Sequence, residues 1–254
     1  MPDTFVKHRR NAPPGFFEVE AAGLRWLAVP GGVPVVRPLD VSPGRLVTPQ
    51  LSLIPPTGAA ADEFGRRLAV LHDAGARWYG VPPDDWDANG YIGTIELPHA
   101  LTPIGSWGEF YANLRLRPYL RTAYDQGTID AARLAVFERV CDRLTSGLYD
   151  DPTERPSRIH GDLWSGNVVW CADGATLVDP AAHGGHRETD LAMLGLFGIP
   201  YLERLLRGYN EAHPLSDGWQ DRAGLHRLHP LLTHVVMFGA GYVPQALAIA
   251  SKYD

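Results

Sequence analysis

The sequence predicts an α+β fold in two lobes, a small β-rich N-terminal lobe over residues 1–54 and a larger, mainly helical lobe over 55–254. Three observations carry that expectation. Short extended pieces surround a single helix in the first part of the chain. From Asp62 onward the apolar spacing becomes helical. Within the helical part, the loop Ile159-His160-Gly161-Asp162-Leu163-Trp164-Ser165-Gly166-Asn167 runs into a short hairpin that ends at Leu177-Val178-Asp179-Pro180.

Taken in order, Phe5-Val6-Lys7 reads as the end of a strand. Residues Phe16 to Val29 set Phe16, Val19, Leu24 and Leu27 on a helical stripe, which Pro30, Gly31, Gly32 and Pro34 stop. Val33 to Val36 and Leu46 to Thr48 read as strand segments, with Pro43-Gly44 as a turn between them. Leu51 to Gly58, which contains Pro55 and Pro56, is expected to connect the lobes. Beyond it, Asp62 is expected to cap a helix carrying Phe64, Leu68 and Leu71. Ser106 should cap another that runs through Phe110 and Leu114 past Pro118. Asp130 should cap a third, with Leu134, Phe137, Val140, Cys141 and Leu144 at helical spacing. Further helices are expected over Leu191–Phe197, Tyr201–Tyr209 and Arg222–Phe238, with Asp190 as the N-cap of the first and an anchor for the loop before it. Gly80 to Thr102, rich in Pro, Asp and Gly, reads as a long irregular loop, a kind that often carries function.

The loop and hairpin hold the chemistry. Asp162 and Asn167 fit the D-x-x-x-x-N spacing of a kinase catalytic loop, in which the Asp takes the acceptor hydroxyl's proton and the Asn ligates a metal ion. Val168-Val169-Trp170 and Ala175-Thr176-Leu177-Val178 flank Asp173-Gly174, whose turn chemistry closes a hairpin. Folding it back should bring Asn167 and Asp179 together as hard oxygen ligands suited to Mg²⁺ on nucleotide phosphates. Asp, Gly and Asn are also ordinary turn residues, and an isolated H-G-D tripeptide carries no such meaning. The order of loop, hairpin and terminal Asp supplies it. His160 is expected to orient the loop by hydrogen bonding, since Asp162 already has the base role. Trp164 fits either the core or a position facing a sugar ring.

The run HGDLWSGN, then LVDPA, then GHRETDLAMLGLFG, resembles the fructosamine kinase (ketosamine kinase) family, a branch of the aminoglycoside phosphotransferase and choline kinase-like fold. Trp164 favours this branch. The likeness continues through Trp107-Gly108-Glu109-Phe110-Tyr111, Arg115-Leu116-Arg117-Pro118, Gly208-Tyr209-Asn210-Glu211 and the stretch from His234 to Tyr242, so it covers nearly the whole chain. It implies a protein kinase-like fold and ATP-dependent phosphorylation, with Mg²⁺, of a sugar hydroxyl on a ketosamine, the Amadori-type adduct of a sugar with an amine. Where the amine is a protein lysine, the implied role is repair by deglycation. An aminoglycoside, choline or another small alcohol is the alternative acceptor.

The resemblance also implies site residues. Phe5-Val6-Lys7 and Phe17-Glu18-Val19-Glu20-Ala21 are similar to the family's phosphate-binding lysine and its helix glutamate, which makes Lys7 and Glu20 the pair, with Glu18 the nearest rival. Thr48-Pro49-Gln50-Leu51 stands at the family's hinge. Pro49 has no N–H to donate, so the adenine contacts fall to Gln50 and Leu51. His183, His186 and Glu188 are placed on the acceptor side by resemblance alone. Two histidines three apart, with no third ligand at useful spacing, do not make a zinc site.

One departure bears on activity. Related kinases place two strands and a glycine-containing loop ahead of the lysine strand. Here six residues precede Lys7, and Gly31-Gly32 comes after the helix. The expectations are a shortened N-terminal lobe, an unpaired sheet edge at the Lys7 strand, and reduced or absent activity, at the extreme a non-enzymatic remnant.

Composition bounds the partners. A chain of 254 residues with 45% hydrophobic content can bury a core of one or two units, and a formal charge of -6 gives no basic face for nucleic acid. Cys141 and Cys171 form no C-x-x-C pair and no disulfide framework, which suits a reducing compartment. No apolar run reaches the roughly 20 residues that span a bilayer. The expected location is the cytoplasm, and the identity of the sugar and amine and the oligomeric state stay open.

Overall fold

In a computed structural model, which describes residues 3–254, β1 (Thr4–His8), β2 (Asp40–Ser42) and β3 (Arg45–Pro49) form an antiparallel sheet in the order β1-β3-β2. Lys7 pairs with Leu46 and Phe5 with Thr48. α1 (Phe16–Leu27) lies against this sheet because its stripe of Phe17, Ala21 and Leu24 buries itself with Val36 and Leu46. The outer edge of β1 has no strand partner among the described residues, and Phe5 and Val6 are exposed there.

Val33 to Val36 does not form the expected strand. It makes one parallel bridge, Val35 to Leu177, with Val36 N–H donating to the Leu177 carbonyl at 3.0 Å and Leu177 N–H to Pro34 at 2.8 Å. Pro34 has no N–H with which to extend a ladder.

The chain then crosses to α2 (Gly58–Asp73). Its cap is Thr57, whose hydroxyl accepts from Ala60 N–H at 3.2 Å, and not Asp62. Asp62 sits one turn inside the helix and holds Arg204 and Arg207 across a helix interface. The segment from Gly80 to Thr102 is not wholly irregular, since it contains the hairpin β4 (Gly90–Ile92) and β5 (Ile95–Leu97). Ser106 caps α3 (Trp107–Phe110), which continues through a π-helical turn at Tyr111–Leu116 into α4 (Arg117–Asp125), and Asp130 caps α5 (Ala131–Thr145).

β6 (Ser157–Ile159) leads into the loop at 160–167, and β7 (Val168–Cys171) with β8 (Gly174–Leu177) forms the predicted hairpin, Val168 facing Leu177 and Cys171 facing Gly174. β9 (His183–Gly185) returns to pair with β6. α6 (Arg187–Phe197), α7 (Leu202–Ala212), α8 (Trp219–Phe238) and α9 (Val243–Ala250) complete the helical part. The N-cap of α6 is His186; Asp190 lies inside its first turn, fully buried.

Two apolar cores flank the loop. One gathers Phe110, Phe137, Leu144, Leu228 and Leu232 among α3, α5 and α8. The other gathers Phe64, Leu68, Trp170, Leu177, Leu194 and Leu205 between the hairpin and α2, α6 and α7. The loop is therefore clamped from both sides by packed helices. No helix of the described residues is long and apolar enough to cross a membrane.

Candidate active site

The loop is held by the protein's own side chains. Gly161 has a φ of 79°, and a Cβ there would lie 2.2 Å from the Ala181 carbonyl, so only glycine fits. Asp190, from α6, accepts hydrogen bonds from His160 N–H at 2.7 Å and Gly161 N–H at 3.0 Å. His72 of α2 stands behind it, 3.2 Å away through Nε2, with its Nδ1 2.8 Å from the Tyr209 hydroxyl of α7. Tyr209 O–H donating to Nδ1, and Nε2–H donating to the carboxylate, satisfies every group in that chain. Three helices thus converge on two backbone amides. The expected anchoring by Asp190 is present, while nothing in the sequence pointed to this role for His72 and Tyr209.

His160 does orient the loop. Its Nε2–H donates to the Val178 carbonyl at 2.9 Å, which leaves Nδ1 to accept from Asp162 N–H at 3.3 Å. Burial lowers its pKa and keeps the ring neutral.

Asp162, Asn167 and Asp179 come together at the open end of the hairpin. Asn167 Nδ2 donates to the Asp162 carboxylate at 3.0 Å and to its carbonyl at 2.8 Å, and reaches the Asp179 carbonyl at 3.4 Å. With the amide nitrogen so engaged, Asn167 Oδ1 is the atom left to ligate. Asp179 adopts a left-handed backbone, φ 56°, sparsely populated by non-glycine residues and tolerated best by Asp and Asn. Its half-exposed carboxylate meets Lys7, which also pairs with Glu20. The Glu18 alternative falls away, because Lys7 contacts Glu20. Burial raises the Glu20 pKa, against the opposing pull of Lys7.

These groups line a cleft of about 580 Å³ that includes Lys7, Glu20, Asp162, Trp164, Asn167 and Asp179. A smaller pocket of about 200 Å³ adjoins it between the sheet and the hairpin, lined by Val36, Pro49, Gln50, Leu51, Val169 and Val178. Most of its lining side chains are apolar, which suits a purine ring, with Lys7, Glu20 and Asp179 on the side toward the cleft. At the expected hinge, Gln50 N–H donates to the Asp3 carbonyl at 2.9 Å, and among the described residues the Leu51 N–H has no partner; both residues line this pocket.

Burial raises the Asp162 carboxyl to a pKa of about 6; the Asn167 hydrogen bond opposes this, and the charges of Asp179 and Asp190 add to it. A carboxylate poised near neutrality suits a general base.

Trp164 is 40% exposed and edges against Phe197, so it faces the cleft and is not a core residue. His183, His186 and Glu188, by contrast, do not reach the cleft wall. All three are buried. His183 packs under the floor, 3.4 Å from Arg115 Nε. His186 and Glu188 join His226 in a buried cluster whose ligand atoms are within 4.8 Å of one another. The carboxylate there is already held by Arg222 at 2.6 and 3.2 Å. Resemblance had placed these residues near the acceptor because they follow Asp179 closely in sequence; the turn into β9 carries them behind the loop instead.

The fructosamine kinase family model matches residues 2–253. The chain belongs to the fructosamine kinase family. A crystal structure from Thermobifida fusca, provisionally named a fructosamine-3-kinase, is 45% identical, covers 98% of this chain and 85% of its own, and superposes with a TM-score of 0.90. The protein-ribulosamine 3-kinase of Arabidopsis thaliana is 30% identical over 98% of this chain and 75% of its own length. The choline kinase of Streptococcus pneumoniae, 16% identical with a TM-score of 0.62 over 99% of this chain and 85% of that one, shares the fold. This fructosamine kinase family member is accordingly an α+β protein with the two-lobed, protein kinase-like fold, and a phosphotransferase acting on a hydroxyl.

Proposed function

We propose that this protein transfers the γ-phosphoryl group of ATP to a sugar hydroxyl of a ketosamine, free or borne on a protein lysine. The convergence of Asp162, Asn167, Asp179 and Lys7 on one cleft carries the reading, and membership of the fructosamine kinase family supports the substrate class. Residues 1–54 form the nucleotide-binding lobe with its hinge, and 55–254 the lobe that holds the catalytic loop. The adenine ring occupies the pocket beside Leu51.

In the reaction, the acceptor oxygen forms a bond to the γ-phosphorus as the bond to the ADP oxygen breaks, and Asp162 takes the hydroxyl proton. Lys7, steadied by Glu20, holds the phosphates. The donor set of Asn167 Oδ1 and the Asp179 carboxylate, hard oxygens on adjacent turns, fits Mg²⁺, which supplies charge neutralisation on the phosphates when bound. Most of the rate enhancement then comes from positioning and charge compensation. Phosphorylation destabilises the adduct and frees the amine, which makes the role one of deglycation repair. The unpaired thiols Cys141 and Cys171 are consistent with work in the cytoplasm.

The test is a panel of fructosamine, ribulosamine, aminoglycoside and choline acceptors with coupled ADP detection. Ketosamines should be turned over, and Asp162→Ala should lower kcat by roughly 10²–10⁴-fold, the usual contribution of a general base. Turnover of choline or an aminoglycoside in place of ketosamines would reject the substrate assignment.

A further inference from the structure

His99 is a cleft residue that the phosphoryl-transfer machinery does not use. It lies two residues after β5 and is 7% exposed, yet it forms part of the cleft wall together with Asp162. Its ring is held firmly. Nδ1 lies 2.9 Å from the Ala88 carbonyl, and the residue's own N–H donates to Asn89 Oδ1 at 3.0 Å. A carbonyl can only accept, so Nδ1 carries the proton and Nε2 presents a bare lone pair. That Nε2 is buried and has no hydrogen-bond partner.

Such an atom is costly to leave unsatisfied, and the residue beside it carries no side chain that could pair with it. Gly90 lies against this edge of the ring: a Cβ at that position would meet Cε1 at 2.8 Å and Nε2 at 3.1 Å. The ring is also placed relative to the catalytic loop. His183, whose ring centroid is 6.3 Å from that of His99, abuts Gly161, the residue before Asp162.

The charge behind His99 selects its partner. Arg115 is fully buried and donates to the carbonyls of Pro98 at 2.6 Å and Leu114 at 3.0 Å, with no carboxylate paired to it among the described residues. Burial, and after it this guanidinium, push the His99 pKa down to about 4, so the ring stays a neutral acceptor at physiological pH. The same positive charge disfavours a cationic donor such as the adduct's ammonium group.

We propose that His99 is a specificity-determining residue whose Nε2 accepts a hydrogen bond from a neutral sugar hydroxyl of the acceptor, not from its amine. The inference rests on the ketosamine reading above and adds which face of the acceptor the cleft reads. A site built to pair with a hydroxyl rejects analogues that lack it.

The experiment compares wild type, His99→Leu and His99→Gln on a simple fructosamine and its monodeoxy analogues. His99→Leu should raise the acceptor KM about tenfold, the factor that one hydrogen bond of ordinary net strength supplies, with the KM for Mg-ATP within about twofold of wild type. His99→Gln, whose amide oxygen can stand in for Nε2, should recover most of the loss. One monodeoxy analogue should be a correspondingly poor substrate for wild type but equal to its parent sugar for His99→Leu. An unchanged acceptor KM in His99→Leu, or a deoxy penalty that is the same in both proteins, overturns the proposal. If His99→Leu does not fold, Gly90→Ala, which covers the Nε2 edge, is held to the same KM criterion. Failure of the ketosamine reading looks different, since wild type then turns over no adduct at all. The comparison then moves to whichever alcohol the panel selects, and an unchanged KM there overturns the inference equally.

Discussion

Asp162 is recessed beneath the cleft with two carboxylates in electrostatic range, and its environment makes a pH-dependent promise. A base must be ionised to work, so kcat/KM should fall tenfold per pH unit below an inflection at about 6. A profile flat down to pH 5 would remove Asp162 from the base role. The same shift has a stability consequence of opposite sense. The folded-state pKa lies above the ordinary carboxylate value, so the fold binds this proton more tightly than the unfolded chain does. Stability is therefore lost as pH rises from the ordinary carboxylate range through about 6. Asp162→Asn should lower turnover as Asp162→Ala does yet raise stability by on the order of 1–2 kcal/mol at pH 8 in urea unfolding, with the gain vanishing near pH 4. A variant less stable than wild type at both pH values would contradict that balance. Residues in the loop and hairpin were readable because their roles depend on short spacings. The roles of His72, Tyr209, Arg115 and His99 were not, since each depends on a partner 10 to 137 positions away.

At the scale of elements, α8 contains Pro230, which cannot donate the N–H that the His226 carbonyl, four residues back, would normally receive. Tyr111, on the π-helical turn after α3, repairs this. Its hydroxyl lies 2.8 Å from the Leu225 carbonyl and 3.1 Å from that of His226, and accepts from His229 N–H at 3.1 Å. The widened turn sets Tyr111 against α8, which gives the π-helix a structural purpose. Tyr111→Phe should cost about 1–3 kcal/mol, since it strands buried backbone groups. A loss below about 0.5 kcal/mol by chemical denaturation would show that the break is satisfied otherwise. Most helices were legible from apolar spacing, and the caps Ser106 and Asp130 from their position. Asp62 and Asp190 misled as caps because a carboxylate near a helix start can equally serve a tertiary partner, here Arg204 in one case and the loop amides in the other. The β4–β5 hairpin was hidden by its shortness and by the Pro, Asp and Gly around it.

Across the whole molecule, the proposed nucleotide site joins parts distant in sequence: Lys7 from β1, Glu20 from α1, Asp179 after the hairpin. A ligand that bridges them stabilises the folded state by mass action. Mg-ATP should raise the melting temperature of wild type, and Asp179→Ala should lose most of that rise. No shift in either protein would favour the non-enzymatic alternative. The fold class, the helical lobe and the loop at 160–167 with its hairpin were determined by the sequence itself, because periodicity, turn chemistry and fixed short spacings are local properties that need no partner to be read. The tertiary structure alone decided that His183, His186 and Glu188 lie behind the loop, that the Gln50 N–H is already engaged, and that His99 stands in the cleft wall with a buried, unpartnered Nε2. Those outcomes depend on which surfaces meet after the chain folds, and burial and orientation of that kind leave no periodic trace along the sequence.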